Sequence, residues 1–181
     1  MDLDLEKWRS GDNETFCAYF HQYKDMVFKT AFLISGSKEE AEDILQEVFL
    51  AAWKSRYTFN PAKSKPGTWL TRITTRLAGR RRRKMAKGFS PVEIEAGNFP
   101  TPEEDALTRL EYQAMVKALD TLPEKHRTVI ILRYFGDLSI NEIAAVLGVP
   151  PGTVKSRLHQ GLKNLHAKFY PAFSAGKQVK K

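Results

Sequence analysis

Apolar side chains return along this chain at intervals of three and four residues, a period that predicts helix almost throughout. The first helix is expected over Glu14 to Ile34, with Phe16, Tyr19, Phe20, Tyr23, Val27, Phe28 and Ala31 facing inward. A second runs from Ser37 to about Tyr57, buries Ala41, Ile44, Leu45, Val48, Phe49, Ala52 and Trp53, and opens with Ser37 and Glu40 spaced as a capping box. Asn60, Pro61, Lys65, Pro66 and Gly67 mark a loop, and a third helix follows from about Thr68 to Met85 around Trp69, Leu70, Ile73 and Leu77. The period then lapses. Gly88 to Glu104 holds three Pro, two Gly and four Glu and reads as a linker. Beyond it come a helix over Ala106 to Asp120, another capped by Thr121 and reaching Phe135, and a helical hairpin. No stretch alternates as a half-buried strand would, and no segment repeats. The expected fold is all-α, with two helical domains (1–88 and 105–171) joined by a short flexible acidic linker (89–104) and followed by a disordered basic tail (172–181).

The hairpin carries the first chemical signal. In LSINEIAAVLGVPPGTVKSRLHQGL, Leu138 to Leu162, Ser139 and Glu142 form a capping box, and Ile140, Ile143, Ala144 and Leu147 make one apolar face. Gly148 stops that helix, and Pro150, Pro151 and Gly152 carry the turn toward a new start at Thr153. Val154, Leu158, Leu162 and Leu165 are spaced to pack inward, leaving Lys155, Ser156, Arg157, His159, Gln160 and Lys163 outside. Donors near a helix N-terminus that can pair with base edges, flanked by cations that can neutralise phosphate, suit a helix-turn-helix reading duplex DNA through its major groove.

Charge sharpens this picture. The net charge of +8 falls in blocks: −4 over residues 1–60, +10 over 61–88, −6 over 89–124 and +8 over 125–181. Two basic surfaces separated by acidic segments point to two nucleic-acid contacts, with acidic faces left for protein. A single cysteine, Cys17, excludes an internal disulfide, and no Cys and His are spaced as zinc ligands, so a reduced, cytoplasmic protein without metal or other cofactor is expected. The longest apolar stretch, near Met26 to Ile34, is interrupted by Lys29, so membrane insertion is not expected. Walker, dinucleotide-binding, HExxH and nucleophile-elbow motifs are all missing, which argues against an enzyme.

The third helix carries the second signal. Arg72, Arg76, Arg80 and Arg83 form one ridge, thickened by Arg81, Arg82, Lys84 and Lys87. Such a run suits phosphate, although a solvated helix end or a basic tail has the same composition. Tyr57, Phe59, Asn60, Lys63 and Lys65 in the preceding loop mix aromatic, amide and cationic groups of the kind that hold splayed bases. Trp69 could stack on a base, but its place in the apolar stripe favours core packing. On the second helix Glu39, Glu40, Glu42, Asp43 and Glu47 form an acidic face, either simply solvated or docked on a basic protein surface. A nuclease metal site would need converging ligands from elsewhere, and none is evident.

AEDILQEVFLAAW (Ala41 to Trp53), GTWLTRI (Gly67 to Ile73) with its basic helix end, and LPEKHRTVIILRYFGDLSINEIAAVLGVPPGTVKSRLH (Leu122 to His159) together resemble the extracytoplasmic-function sigma factors of bacterial RNA polymerase. The likeness spans roughly Glu14 to Phe169. It implies a subunit holding only sigma regions 2 and 4, without enzymatic activity of its own, that directs core polymerase to promoters. By that resemblance Asp43, Gln46 and Glu47, with Glu39 beside them, dock on the β′ coiled coil of core RNA polymerase. Phe59, Asn60, Lys63, Lys65, Arg72, Arg76, Arg80 and Arg83 would open and read the −10 element as single-stranded DNA. Gly152, Thr153, Lys155, Ser156, Arg157, His159, Gln160 and Lys163 would read the −35 element. The linker would lie in the RNA exit path, and an anti-sigma factor is an expected partner. Two departures stand out. Arg76 and Arg80 occupy positions where the family usually has Asn and Asp, and Gln160 lies where Arg is frequent. Gln suits adenine and Arg suits guanine, so a −35 element not dominated by guanine at that position is expected. The competing reading is a stand-alone helix-turn-helix regulator that binds duplex DNA without polymerase.

Overall fold

The computed structural model describes residues 4–88 and 114–169, so the expected linker and tail lie outside the described residues. All regular structure among these residues is helical. The chain opens with a short helix that the apolar spacing did not announce, α1 (Leu5–Ser10), capped by the Asp4 carboxylate and closed by Gly11 at φ 84°. Then come α2 (Asn13–Ser35), α3 (Lys38–Lys54), a 3-10 turn (Arg56–Thr58) and α4 (Pro66–Gly88). The second half comprises α5 (helical over 114–120), α6 (Glu124–Tyr134), α7 (Ile140–Leu147) and α8 (Pro151–Phe169).

Capping chemistry fixes several of these boundaries. Asp12 begins α2 by accepting from the Thr15 backbone N–H at 2.8 Å and the Thr15 hydroxyl at 2.7 Å, and these bonds hold its carboxyl below the ordinary carboxylate range. Ser37 caps α3 by accepting from Glu40 N. The reciprocal half of the expected box is not formed, because the Glu40 carboxylate turns to Arg81 instead. At α7 the box is complete: Ser139 Oγ accepts from Glu142 N while the Glu142 carboxylate accepts from Ser139 N. Thr121 does not cap α6. Its hydroxyl donates to Ala118 O at 2.7 Å and so closes α5, leaving Pro123 at the start of α6 without a side-chain bond.

Aromatic packing ties α1 onto α2 and α3. Trp8 is fully buried, its ring 4.6 Å from Tyr19 and 6.2 Å from Trp53. From there one apolar cluster runs through Val27, Ile34, Ile44, Val48 and Leu70 into Leu119, Leu122, Ile130 and Ile131. The first and second halves of the chain therefore share a core. A smaller cluster of Val129, Leu132, Leu138, Ile143, Ala144 and Val154 holds the hairpin, with Leu158 touching both. Leu162, expected inward, is 38% exposed. Gly161 takes the buried position instead, and a Cβ there would stand 2.8 Å from Ile130 Cδ1 and 3.3 Å from His126 Cβ. The missing side chain is what lets α8 lie close on α6.

Candidate nucleic-acid interface

On α8 the first turn and the outward face are turned to solvent, as the apolar spacing implied. Gly152, Lys155, Ser156, His159, Gln160 and Lys163 are exposed, and Thr153 is half-buried. Ser156 Oγ donates to Thr153 O at 3.0 Å, and Gln160 Nε2 donates to Asn164 Oδ1 at 2.8 Å, which engages one of its two amide hydrogens. Arg157 stands apart. It is half-buried and faces a cavity between the two halves of the molecule, away from the exposed row.

The loop before α4 is held from the N-terminus. Arg9 donates through Nη2 to Phe59 O at 3.1 Å, and Arg56 Nε donates to Arg9 O at 3.2 Å. The Arg56 guanidinium lies between the rings of Trp53 and Tyr57, 4.5 and 4.3 Å from their centroids, and Tyr57 is left 61% exposed. Phe59 needs a correction. Expected to meet unpaired bases, it is 2% exposed and packs on Trp69 with ring centroids 5.2 Å apart, so its ring seats the loop and offers no face to a base. Within the 3-10 turn just before it, Tyr57 presents its ring to solvent. Asn60, Lys63 and Lys65 are exposed, with Asn60 Oδ1 accepting from Ala62 N at 2.9 Å.

Along α4 the cations divide by direction. Arg72, Arg76, Arg80 and Arg83 are exposed as the ridge implied. Arg72 Nη2 donates to Ala145 O at 2.9 Å on α7, and Arg83 Nη1 meets Glu124 Oε1 at 2.7 Å on α6. Arg82 pairs with Asp120, which also accepts from buried Arg127 at 2.8 Å. Thr68 Oγ1 completes the set by donating to Glu142 Oε1 at 3.1 Å. Four contacts from the helix expected to grip DNA thus go to the second half of the chain.

Arg81 points the other way, to α3. Its Nη1 lies 2.7 Å from Glu40 Oε2 and 3.2 Å from Asp43 Oδ2, and its Nη2 bonds Glu47. These bonds raise its pKa further above the ordinary arginine value against the opposing effect of burial. The periodicity carried this signal unread: carboxylates at positions 40, 43 and 47 share one helix face and await a cation. On the outer side of that face Glu39, Asp43 and Gln46 are exposed, and Leu50, 57% exposed, continues the row at helical spacing.

The sequence carries two family signatures in the same order as these two surfaces. Residues 19–88 match the model of Sigma-70 region 2, and residues 112–165 match that of Sigma-70, region 4. The ECF RNA polymerase sigma factor SigW of Bacillus subtilis is 34% identical over 173 residues, spanning 89% of this chain and 92% of the relative. The chain belongs to the extracytoplasmic-function sigma factors. SigE of Mycolicibacterium smegmatis, a sigma factor of the same kind, is 36% identical over 152 residues, which are 80% of this chain and 57% of the longer relative. The solved sigma factor RpoE of Bartonella quintana, in complex with the anti-sigma factor NepR, superposes with a TM-score of 0.68 at 25% identity, covering 83% of this chain and 94% of that one.

As a sigma factor the protein is a transcription-initiation subunit that binds core RNA polymerase and promoter DNA. The region 2 match takes in α2 from Tyr19 onward, α3 and basic α4, and the region 4 match ends in the helix-turn-helix of α7 and α8. No helix among the described residues is long and apolar enough to cross a membrane. No group of His, Cys, Asp and Glu among them could hold a metal ion.

Proposed function

We propose that this sigma factor grips promoter DNA at two places, closed duplex through α8 and melted strand through the loop and helix from Tyr57 to Arg83, while α3 holds it on polymerase. The observation that carries this division is the exposed row Lys155, Ser156, His159 and Gln160 on a helix whose opposite face is locked into the core through Val154 and Gly161. Rigid backing keeps such side chains in register with base edges. Phosphate contacts from Lys155 and Lys163 add affinity without reading sequence. Gln160 favours adenine at its contact position. In region 2, Tyr57 offers a stacking platform braced by Arg56, and Asn60, Lys63 and Lys65 stand beside it. Arg76 and Arg80 add positive charge where the −10 strand would pass.

Docking on the polymerase β′ coiled coil falls to Glu39, Asp43, Gln46 and Glu47, with Leu50 supplying apolar contact at the end of the row, and Asp43 and Glu47 must exchange their bonds to Arg81 to take part. Residues 1–88 and 105–171 act as the two functional units, joined through 89–104. In the described arrangement Arg72, Arg82 and Arg83 hold region 4, so engagement of α4 by DNA requires those bonds to be exchanged. A protein antagonist is part of the proposal, supported by the likeness to RpoE in complex with NepR. The cytoplasm, where core polymerase works, is the proposed location.

The test separates this reading from a stand-alone regulator. Purified protein, core polymerase and a library of promoter-length duplexes are mixed in all combinations, and retained DNA is sequenced. Selective retention only when protein and core are both present supports the proposal. Equal selectivity without core refutes it.

A further inference from the structure

Between region 2 and region 4 lies a cavity of about 700 Å³, a volume within the ordinary range for small-molecule sites. Arg72, Arg76 and Arg83 line it from α4, Lys125 from α6 and Arg157 from α8. The one carboxylate on its wall, Glu124, is already paired with Arg83. Arg76, Lys125 and Arg157 have no ion-pair partner among the described residues. Their positive field reaches neighbouring His126, whose pKa is held down by burial first and by Lys125 and Arg157 in addition. Val146 and Leu147 give the same space an apolar flank. Several like charges from three helices around one partly enclosed space repel each other, and an anion seated among them relieves that repulsion.

We infer that this cavity binds a small oligophosphate anion, gripped by Arg76 on region 2 and by Lys125 and Arg157 on region 4. Arginine forks suit phosphate oxygens, and Lys125 adds a point charge. Because both regions contribute, an occupant favours the closed arrangement by its differential affinity for it. The same occupant withholds Arg76 from DNA and, by favouring the closed arrangement, keeps Arg72 on Ala145 O, which makes the cavity a place where phosphorylated metabolites compete with promoter binding.

Isothermal titration of the full chain with inorganic tripolyphosphate at fixed ionic strength tests this. Saturable binding of one anion per chain is expected, weakened tenfold or more by Arg76→Ala and by Lys125→Ala. Lys54→Glu, an exposed change at the end of α3 with a larger effect on net charge, should leave affinity within twofold. Uptake without saturation, or equal weakening by all three substitutions, overturns the site. Circular dichroism of each variant checks the fold, and Lys125→Met, which keeps the aliphatic stem, must reproduce Lys125→Ala. A parallel titration with a nucleoside triphosphate sorts the source: tighter binding than tripolyphosphate means the apolar flank reads a base, and equal binding means the phosphates alone are read.

Discussion

Asp120 is the joint on which the packing of the two regions turns, and replacing it should cost far more than an exposed acid would. Its carboxylate accepts from Arg127, which is 3% exposed, and from Arg82 of α4. Burial pushes the Arg127 pKa down from 12.5 to about 10, helped by Arg82 and opposed by Asp120 and Glu124. At about 1.4 kcal/mol per tenfold, the net environment disfavours the charged form by about 3 kcal/mol even with the carboxylate present. Arg127 Nε already lacks a hydrogen-bond partner, so Asp120→Ala leaves a buried guanidinium with none from Asp120 either. Breaking a buried pair costs about 3–5 kcal/mol. The Asp120 side chain is 31% exposed, which admits water and places the expected loss near the lower end, about 3 kcal/mol. Urea unfolding followed by circular dichroism measures it. Adding Arg127→Met to Asp120→Ala removes the stranded charge and should recover about 2 kcal/mol. A loss below about 1 kcal/mol for Asp120→Ala, or no recovery in the double variant, would refute the reasoning.

Other expectations follow from the same contacts. Ser139→Ala should destabilise the protein by about 1 kcal/mol through loss of the α7 cap, measured by urea unfolding. Glu142 is held below the ordinary carboxylate value chiefly by the Ser139 backbone bond, then by the Ser139 hydroxyl, with Thr68 and Lys65 adding less. Its contribution to stability is therefore full above about pH 4.5 and is lost as pH falls through the lowered value, a loss that acid titration of Glu142→Gln should lack. Asp43→Lys should weaken affinity for core polymerase tenfold or more by reversing charge on the proposed docking face, with an unchanged circular dichroism spectrum; full affinity in a pull-down titration would remove Asp43 from that face. Lys155→Ala with Lys163→Ala should weaken promoter binding across sequences and flatten its salt dependence by about one log-log increment per lost phosphate contact.

Most helices were legible because their apolar residues keep strict intervals, and the α7 capping box was legible because a serine and a glutamate three apart have one common use. Helix α1 escaped because six residues hold too few turns to show a period; its one strong signal, Trp8, gains meaning only beside Tyr19 and Trp53. Leu162 was misplaced for a different reason. Apolar spacing counts side chains, and the contact that sets α8 on α6 is the absence of one at Gly161. At the interface the residue types were legible and their partners were not. Composition marked the cations of α4 as phosphate ligands, but an arginine run carries no sign of which member turns to α3 and which to region 4. Phe59 shows the same limit, since an aromatic in a basic loop suits a base and a core equally well, and Trp69 decides between them.

The central claim is that one helical chain confers promoter choice on polymerase by holding duplex and melted strand at once. Run-off transcription with core enzyme, this protein and a fragmented genomic template, followed by mapping of start sites, tests it most directly. Initiation should occur at a restricted set of sites sharing two upstream elements, and Lys155→Ala with Lys163→Ala should reduce it at all of them. Absence of initiation at every sequence, with the protein folded and core enzyme active with another sigma factor, would contradict the account.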